Sequence, residues 1–233
     1  MRKNFTLNYK SIISEKQASK GPFDPIYSVR EKTLREHLDL IRKSNYNVIG
    51  LDEWFLGKLD EDNVLLTFDS GFETDYEVVF PLLQEYGIKG TFFITLSNIT
   101  DHSRWAQYRE MSEAGHSVEA HGVSRNYLSE LTDNEELQEL IVSKSTIEDK
   151  LGVQVRAFSY PGGRYSKRTL RNMKKAGYRF GFTNNYGWNG LLQNSLLMHR
   201  YNIKFGTSAK KLAKHLQPNS MFSWRKRTTD KII

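Results

Sequence analysis

Short apolar runs alternate with amphipathic stretches along most of the chain. The apolar or alternating runs predict eight strands, at 5–9, 47–51, 63–68, 90–95, 117–120, 155–160, 178–183 and 196–203. Helical spacing of apolar positions predicts helices over 31–45, 73–86, 102–114, 133–151, 167–176 and 207–216. Strands and helices that take turns in this way are typical of parallel βα units.

The helix over 133–151 has the clearest boundaries. Thr132 and Glu135 form a capping box before it, and Gly152 follows its last apolar position. Gly87 and Gly177 stand in the same place in other units, each between a predicted helix and the next strand. This regularity favours a single (β/α) barrel, and 233 residues are enough for one large core.

The strand at 63–68 is followed by Asp69, Ser70 and Gly71, so an apolar run ends in an acid, a hydroxyl and a glycine. Folds built from parallel strands place their chemistry at the carboxyl ends of those strands. Asp69 is therefore a candidate for a functional carboxylate. A turn aspartate at a strand end is equally consistent with this segment alone.

Two further segments end in the same kind of position. His121 follows a short predicted strand, where a metal ligand or an acid–base group would be useful. Pro161, Gly162 and Gly163 follow the next strand and predict a tight turn that lets backbone approach a ligand. An ordinary strand–turn–helix junction is the alternative for the second segment.

The stretch TFDSGFETDYEVVFPLLQEYGIKGTFFI resembles the polysaccharide deacetylases of the NodB-homology type (carbohydrate esterase family 4), whose first motif is usually Thr-Phe-Asp-Asp-Gly. The resemblance implies a distorted, TIM-like (β/α) barrel, α/β in class and often seven-stranded. It also implies hydrolysis of an N-acyl group on an amino sugar. The likeness runs from Leu7 to about Leu216, which predicts one domain at 1–216 and a polar, basic tail at 217–233.

In that family the first acid of the motif is a general base, and the second acid and two histidines hold zinc or a similar divalent cation. Carried over by position, Asp69 is the base, and the ligand positions are Ser70, His121 and Arg125. His121 alone is a conventional metal ligand. Three outcomes stay open: Arg125 acts as the electrophile, a cation binds through Asp69, His121 and other groups, or the barrel binds sugar without catalysis.

The resemblance extends to two later segments. The strand and turn over 156–165 are similar to the third motif, where an arginine braces the catalytic acid in some members; that position is Ser159 here, with Arg164 nearby. In the end region, His199 is a candidate general acid and Trp188 a candidate wall for the acyl group or sugar ring. A surface histidine and a rim tryptophan are the alternatives, and Arg200 competes with His199 for the family position.

The predicted substrate contacts are Ser70, Arg125, Tyr160, Gly162, Arg164 and Trp188, with Asp69 and His199 as catalytic groups and His121 as a metal ligand. The predicted function is an N-deacetylase-like hydrolase acting on an amino-sugar intermediate of surface polysaccharide or lipopolysaccharide synthesis. The alternative is a catalytically inactive, glycan-binding or regulatory member of the same fold.

Charge and composition limit the classes of binding partner and the cellular location that we expect. The net charge is +7, but the sequence has no zinc-finger spacing, basic helix or RNA-binding aromatic signature, so no nucleic-acid partner is expected. No run of about twenty apolar residues is present, and the amino terminus lacks a signal-peptide pattern, so a cytoplasmic location is expected. The absence of cysteine excludes disulfides and thiol chemistry. The oligomeric state stays open.

Overall fold

A computed structural model describes residues 4–14, 24–57, 61–190 and 192–216. Its strands are β1 (Asn4–Tyr9), β2 (Ser11–Ile13), β3 (Ser28–Arg30), β4 (Asn47–Val48), β5 (Asn63–Ser70), β6 (Thr91–Ile94), β7 (Ser117–Ala120), β8 (Ala157–Ser159), β9 (Phe180–Phe182) and β10 (Tyr201–Asn202). Its helices are α1 (Glu31–Arg42), α2 (Leu51–Phe55), α3 (Phe80–Tyr86, preceded by a π-helical turn at Asp75–Val79), α4 (Ser103–Glu113), α5 (Asp133–Leu151), α6 (Lys167–Lys175) and α7 (Ala209–Leu216).

Seven parallel strands form a curled sheet in the order β10-β1-β5-β6-β7-β8-β9, and β4 pairs with the first half of β5. The segment before β10 nearly closes the ring, because Met198 bridges to Phe182 of β9 while Tyr201 pairs with Leu7 of β1. The predicted seven-stranded, distorted (β/α) barrel is thereby confirmed. The pair β2–β3 and the helix α2 were not predicted.

Alternation along β5 decides which side chains face the inside of the barrel. Leu65 belongs to an apolar cluster that also contains Phe93 of β6, Phe182 of β9 and Met198. Positions two residues apart on a strand share a face, so Asp69 points to the same inner side as Leu65. The larger apolar cluster lies between the sheet and the surrounding helices. Asp69 therefore lies at the carboxyl-terminal mouth of the barrel, above an apolar interior.

Glu119 of β7 lies inside the barrel, two residues before His121 along the chain. It is buried, and its Oε2 accepts hydrogen bonds from the backbone N–H groups of Arg156 and Ala157, both at 2.8 Å. Burial raises the pKa of Glu119 to about 8, although those two hydrogen bonds oppose the shift. The folded protein consequently holds this proton more tightly than the unfolded chain does.

Because the pKa of Glu119 is raised on folding, its stabilising effect is complete at low pH and is lost as pH rises from about 4.5 to about 8. We expect Glu119→Gln to remove this loss, since a glutamine oxygen keeps both backbone hydrogen bonds. Urea unfolding should show a wild-type free energy that falls by on the order of 2–4 kcal/mol more than the variant's between about pH 5 and pH 9. Parallel losses in both proteins would contradict the assignment.

Within the described ranges, no helix is long and apolar enough to cross a membrane. The predicted tail at 217–233 lies outside the described residues, so the domain boundary at 216 stays a prediction.

Candidate active site at the carboxyl-terminal mouth of the barrel

The centre of the site is the buried carboxylate of Asp69. Arg200 donates two parallel hydrogen bonds to this carboxylate, from Nη1 to Oδ1 at 2.8 Å and from Nη2 to Oδ2 at 2.9 Å. Asn8 of β1 and Ser159 of β8 each donate to Oδ2 at 3.1 Å. Three strands and the segment before β10 therefore fix one carboxylate, and the two oxygens differ. Among the described residues Oδ2 accepts three hydrogen bonds, whereas Oδ1 accepts one.

Arg200 is fully buried and satisfied by groups from neighbouring strands and loops. Its Nε donates to the carbonyl of Thr183 at 2.9 Å, and its Nη2 also donates to Ser159 Oγ at 2.9 Å and Asn184 Oδ1 at 3.2 Å. A buried guanidinium needs such partners, because an unpaired one is very costly. Arg200 braces Asp69 in the way that the family resemblance implies for an arginine at position 159, and the hydroxyl of Ser159 links the two charged groups.

The charge of Asp69 is strongly favoured in this setting. Burial by itself would raise the pKa of the carboxyl, but the positive charge of Arg200, with contributions from His121 and Ser159, holds the pKa of Asp69 below its ordinary value. Asp69 is consequently an anion throughout the neutral range.

His121 stands beside this pair at the end of β7. Its Nδ1 lies 2.7 Å from the carbonyl oxygen of Ser159, and a carbonyl can only accept, so Nδ1 carries the proton. Burial lowers the pKa of His121, with Asp69 opposing the shift. The ring is therefore neutral at pH 7, and its Nε2 has a free lone pair on the side away from Ser159.

The chain leaves β5 through a strained residue. Ser70 is buried and has a φ of 88°, a backbone conformation that residues other than glycine rarely adopt. Its carbonyl accepts from Asn98 Nδ2 at 2.7 Å, and the carbonyl of Gly71 accepts from Arg104 Nη2 at 3.0 Å. These contacts hold an unfavourable conformation at the mouth of the barrel, as is common in functional sites.

Arg125 does not join the buried cluster. Its side chain is exposed, and its guanidinium carbon lies 5.9 Å from the centre of the Phe72 ring. It makes no hydrogen bond or ion pair with any described residue. The structure therefore places Arg125 on the rim of the cleft and not in contact with Asp69 or His121.

The donor set does not fit the divalent cation that the fold family implies. Of the three inherited ligand positions, Ser70 offers a hydroxyl, Arg125 a cation and only His121 an imidazole. Catalytic zinc sites use about three protein ligands of the imidazole, carboxylate or thiolate type. Asp69 is already paired with Arg200, and no group of three or more acidic or histidine side chains in the described ranges is placed to hold a metal.

Two predicted substrate contacts, Tyr160 and Trp188, lie away from the cleft surface. Tyr160 is fully buried and donates its hydroxyl to the carbonyl of Leu196 at 2.9 Å, so it supports the barrel wall instead of contacting substrate. Trp188 packs on Phe5, with ring centres 4.5 Å apart. Phe5 pairs with a residue five positions before Asp69 on β5, which puts the indole roughly 16 Å below the mouth.

His199 also lies outside the buried cluster. Its backbone N–H donates to Asn189 Oδ1 at 2.8 Å, and its ring lies against Gly187, where an added Cβ would come within 2.3 Å. The next residue, Arg200, points to Asp69. In this segment Arg200 is the residue that contacts the Asp69 carboxylate, and the role of His199 as general acid stays a prediction.

The turn after β8 forms part of the rim. Gly162 has a φ of 64°, and a Cβ there would come within 2.5 Å of the Tyr127 ring. Arg164 stacks over the same ring, 4.2 Å from its centre, and pairs with Glu130 at 2.6 Å. Gly162 and Arg164 thus lie at the outer edge of the mouth, where a long substrate would pass.

The family model for polysaccharide deacetylases matches residues 57–181 of this chain. YxkH, a polysaccharide deacetylase candidate from Bacillus subtilis, is 29% identical over 196 residues, which are 81% of this chain and 70% of that protein. The poly-beta-1,6-N-acetyl-D-glucosamine N-deacetylase of Staphylococcus aureus is 24% identical over 200 residues, 77% of this chain and 67% of that protein.

The fold also matches a solved structure. The deacetylase PplD of Streptococcus pyogenes, determined in complex with acetate, superimposes with a TM-score of 0.81 at 23% identity. The match covers 93% of this chain and 99% of that one. This likeness shows that the whole barrel is shared.

Proposed function

Because the chain belongs to the polysaccharide deacetylase family, we propose that it hydrolyses the N-acyl group of an amino sugar, with Asp69 as the general base. The observation that carries this proposal is the geometry of Asp69, an anion at the mouth of the barrel with one oxygen that is not saturated. The name of the Staphylococcus aureus relative, a poly-beta-1,6-N-acetyl-D-glucosamine N-deacetylase, supports an N-acetylated polysaccharide as the substrate, and we propose a surface polysaccharide. An intermediate of lipopolysaccharide synthesis is the other substrate that the sequence predicts.

Asp69 suits the role of base through its Oδ1 atom. Oδ2 is occupied by Arg200, Asn8 and Ser159, while Oδ1 accepts from Arg200 alone among the described residues. A water held at Oδ1 would pass its proton to that oxygen as it attacks the acyl carbon, and Asp69 would return this proton to the sugar nitrogen as the C–N bond breaks to give acetate and the free amine. Arg200 fixes the plane of the carboxylate, so the free lone pair keeps one direction.

His121 suits the role of a neighbouring acceptor. Its Nδ1 proton is held by the carbonyl of Ser159, which leaves the Nε2 lone pair for a sugar hydroxyl, an amide N–H or the attacking water. The neutral ring and the charged carboxylate are both the favoured states between about pH 7 and 8, since the pKa of His121 and of Asp69 are both lowered. Activity should therefore vary little over that range.

Release of acetate from N-acetylglucosamine oligomers tests the proposal. We expect slow release that persists in EDTA and falls at least about 100-fold in Asp69→Asn, because general-base catalysis contributes a factor of this size. Asp69→Asn with Arg200→Gln is assayed as well, since it leaves no unpaired buried charge. Glu119→Gln is the matched control and should keep its activity, because the Glu119 carboxyl bonds to the backbone of Arg156 and Ala157 and not to Asp69. Equal release by wild type and both Asp69 variants would contradict the role of the carboxylate.

A second function shares the same cleft. Ser70 and Arg125 at two inherited ligand positions favour a barrel that binds N-acyl amino sugars without hydrolysing them. Saturable binding of the oligomers with no acetate release, with or without added zinc, would support this alternative and exclude the first.

A further inference from the structure

A cavity of about 410 Å³ lies next to the Asp69 site, and its walls continue from the strands that carry that site. Lys10 follows β1 directly, Phe72 comes three residues after Asp69, and Arg125 comes four residues after His121. Lys10 is close enough to His121 for its positive charge to contribute to the lowered pKa of that ring. The cavity thus adjoins the mouth of the barrel that holds Asp69 and His121.

Three charged side chains line this cavity, and Arg125 is the one that has no ion-pair partner among the described residues. Lys10 forms an ion pair with Asp24 at 3.3 Å, and the backbone N–H groups of Ile26 and Tyr27 together with Lys10 hold the pKa of Asp24 below its ordinary value. Arg125 has the Phe72 ring beneath it and no ion pair or hydrogen bond with any described residue. Its guanidinium N–H groups are available to a ligand.

The remaining walls suit a sugar ring. Phe72 and the exposed Ile26 present apolar surface to the cavity. The Tyr27 ring next to it lies under Lys10 at 5.1 Å and Lys204 at 5.8 Å. Apolar and aromatic surface beside a cation that has no ion pair suits a ring that carries a negative group. A planar guanidinium also matches a carboxylate with two parallel hydrogen bonds.

We propose that this cavity binds a carboxylate-bearing sugar unit adjacent to the N-acyl unit at Asp69, with Arg125 as the residue that recognises the carboxylate. The inference rests on the proposed function, because it places both units on one glycan. It names the substrate class as an acidic, N-acylated polysaccharide.

Calorimetric binding of a hyaluronan hexasaccharide, which alternates glucuronate with N-acetylglucosamine, tests this proposal. The control ligand is the same hexasaccharide after reduction of its carboxylates to alcohols. We expect the charged ligand to bind at least tenfold more tightly at low salt, with an advantage that shrinks as salt screens the charges. Arg125→Gln should remove the advantage and leave the affinity for the reduced ligand unchanged. Its exposed side chain makes correct folding the expected result.

Arg35→Gln is the matched control variant, because Arg35 is an exposed arginine on α1 paired with Glu85. It should behave as wild type. Equal affinity for the two hexasaccharides, or an advantage that survives Arg125→Gln, would overturn the carboxylate subsite and leave the N-acyl sugar site standing. Binding of neither hexasaccharide would overturn both proposals.

Discussion

Replacing Arg200 with methionine is expected to destabilise the protein by about 3–5 kcal/mol, because it leaves Asp69 buried without its counter-charge. The carboxylate would keep only Asn8 and Ser159 as donors, and the carbonyl of Thr183 would lose the Arg200 Nε bond. Urea unfolding at pH 7 measures the loss as a fall in the transition midpoint at constant slope.

The control for this prediction is a double-mutant cycle. Asp69→Asn combined with Arg200→Met removes both charges and should cost clearly less than the sum of the two single changes, with a coupling of about 2 kcal/mol or more. Arg35→Met breaks an exposed ion pair and should change the free energy of unfolding by less than about 1 kcal/mol. Additive losses across the cycle would mean that the two side chains do not interact in the folded protein.

The barrel could be predicted because its signals are local. β5 and β6 are short, mainly apolar runs. The capping box of Thr132 with Glu135 is present as predicted, and the backbone N–H of Thr132 donates to the Glu135 carboxylate at 2.9 Å. The β2–β3 pair was missed because two three-residue strands separated by 14 residues carry almost no periodic signal. Their pairing is set by tertiary contacts.

The site was predictable only in part, and Arg200 shows why. Asp69 and His121 stand at strand ends, which a linear sequence reveals. Arg200 stands just before β10, in a segment whose sequence predicts a strand, and its charge is tolerated only because groups from several strands and loops converge on it. A charged residue within a buried run was the available signal. It pointed to a buried ion pair without naming the partner.

Tyr160 and Trp188 illustrate the opposite error. Both are aromatic residues near motif positions, and aromatic residues commonly stack on sugars. The direction of a side chain depends on strand register, which places Tyr160 in the barrel wall and Trp188 near the opposite end of β1. Gly162 and Arg164 are at the rim, because a turn after a strand must lie at the mouth.

The largest change in ligand affinity is expected from Ser70→Asp combined with Arg125→His. His121 already offers a neutral imidazole whose Nδ1 is fixed by Ser159, as a protein oxygen commonly fixes a ligating histidine. The two substitutions add a carboxylate and a second imidazole, which brings the donor set to three. We expect zinc affinity to rise at least about 100-fold over wild type in calorimetric titration, by analogy with the size of ligand effects at such sites.

The single substitutions separate this result from incidental zinc binding. Ser70→Asp or Arg125→His alone supplies two donors at most and should give a much smaller gain, and His121→Ala in the double variant should abolish the gain. The strained φ of Ser70 is tolerated better by aspartate than by most residues, so the double variant is expected to fold. Unchanged zinc affinity in a folded double variant would show that positions 70 and 125 do not converge on His121. The distance of Arg125 from the buried cluster would then be a property of its loop and not of its charge.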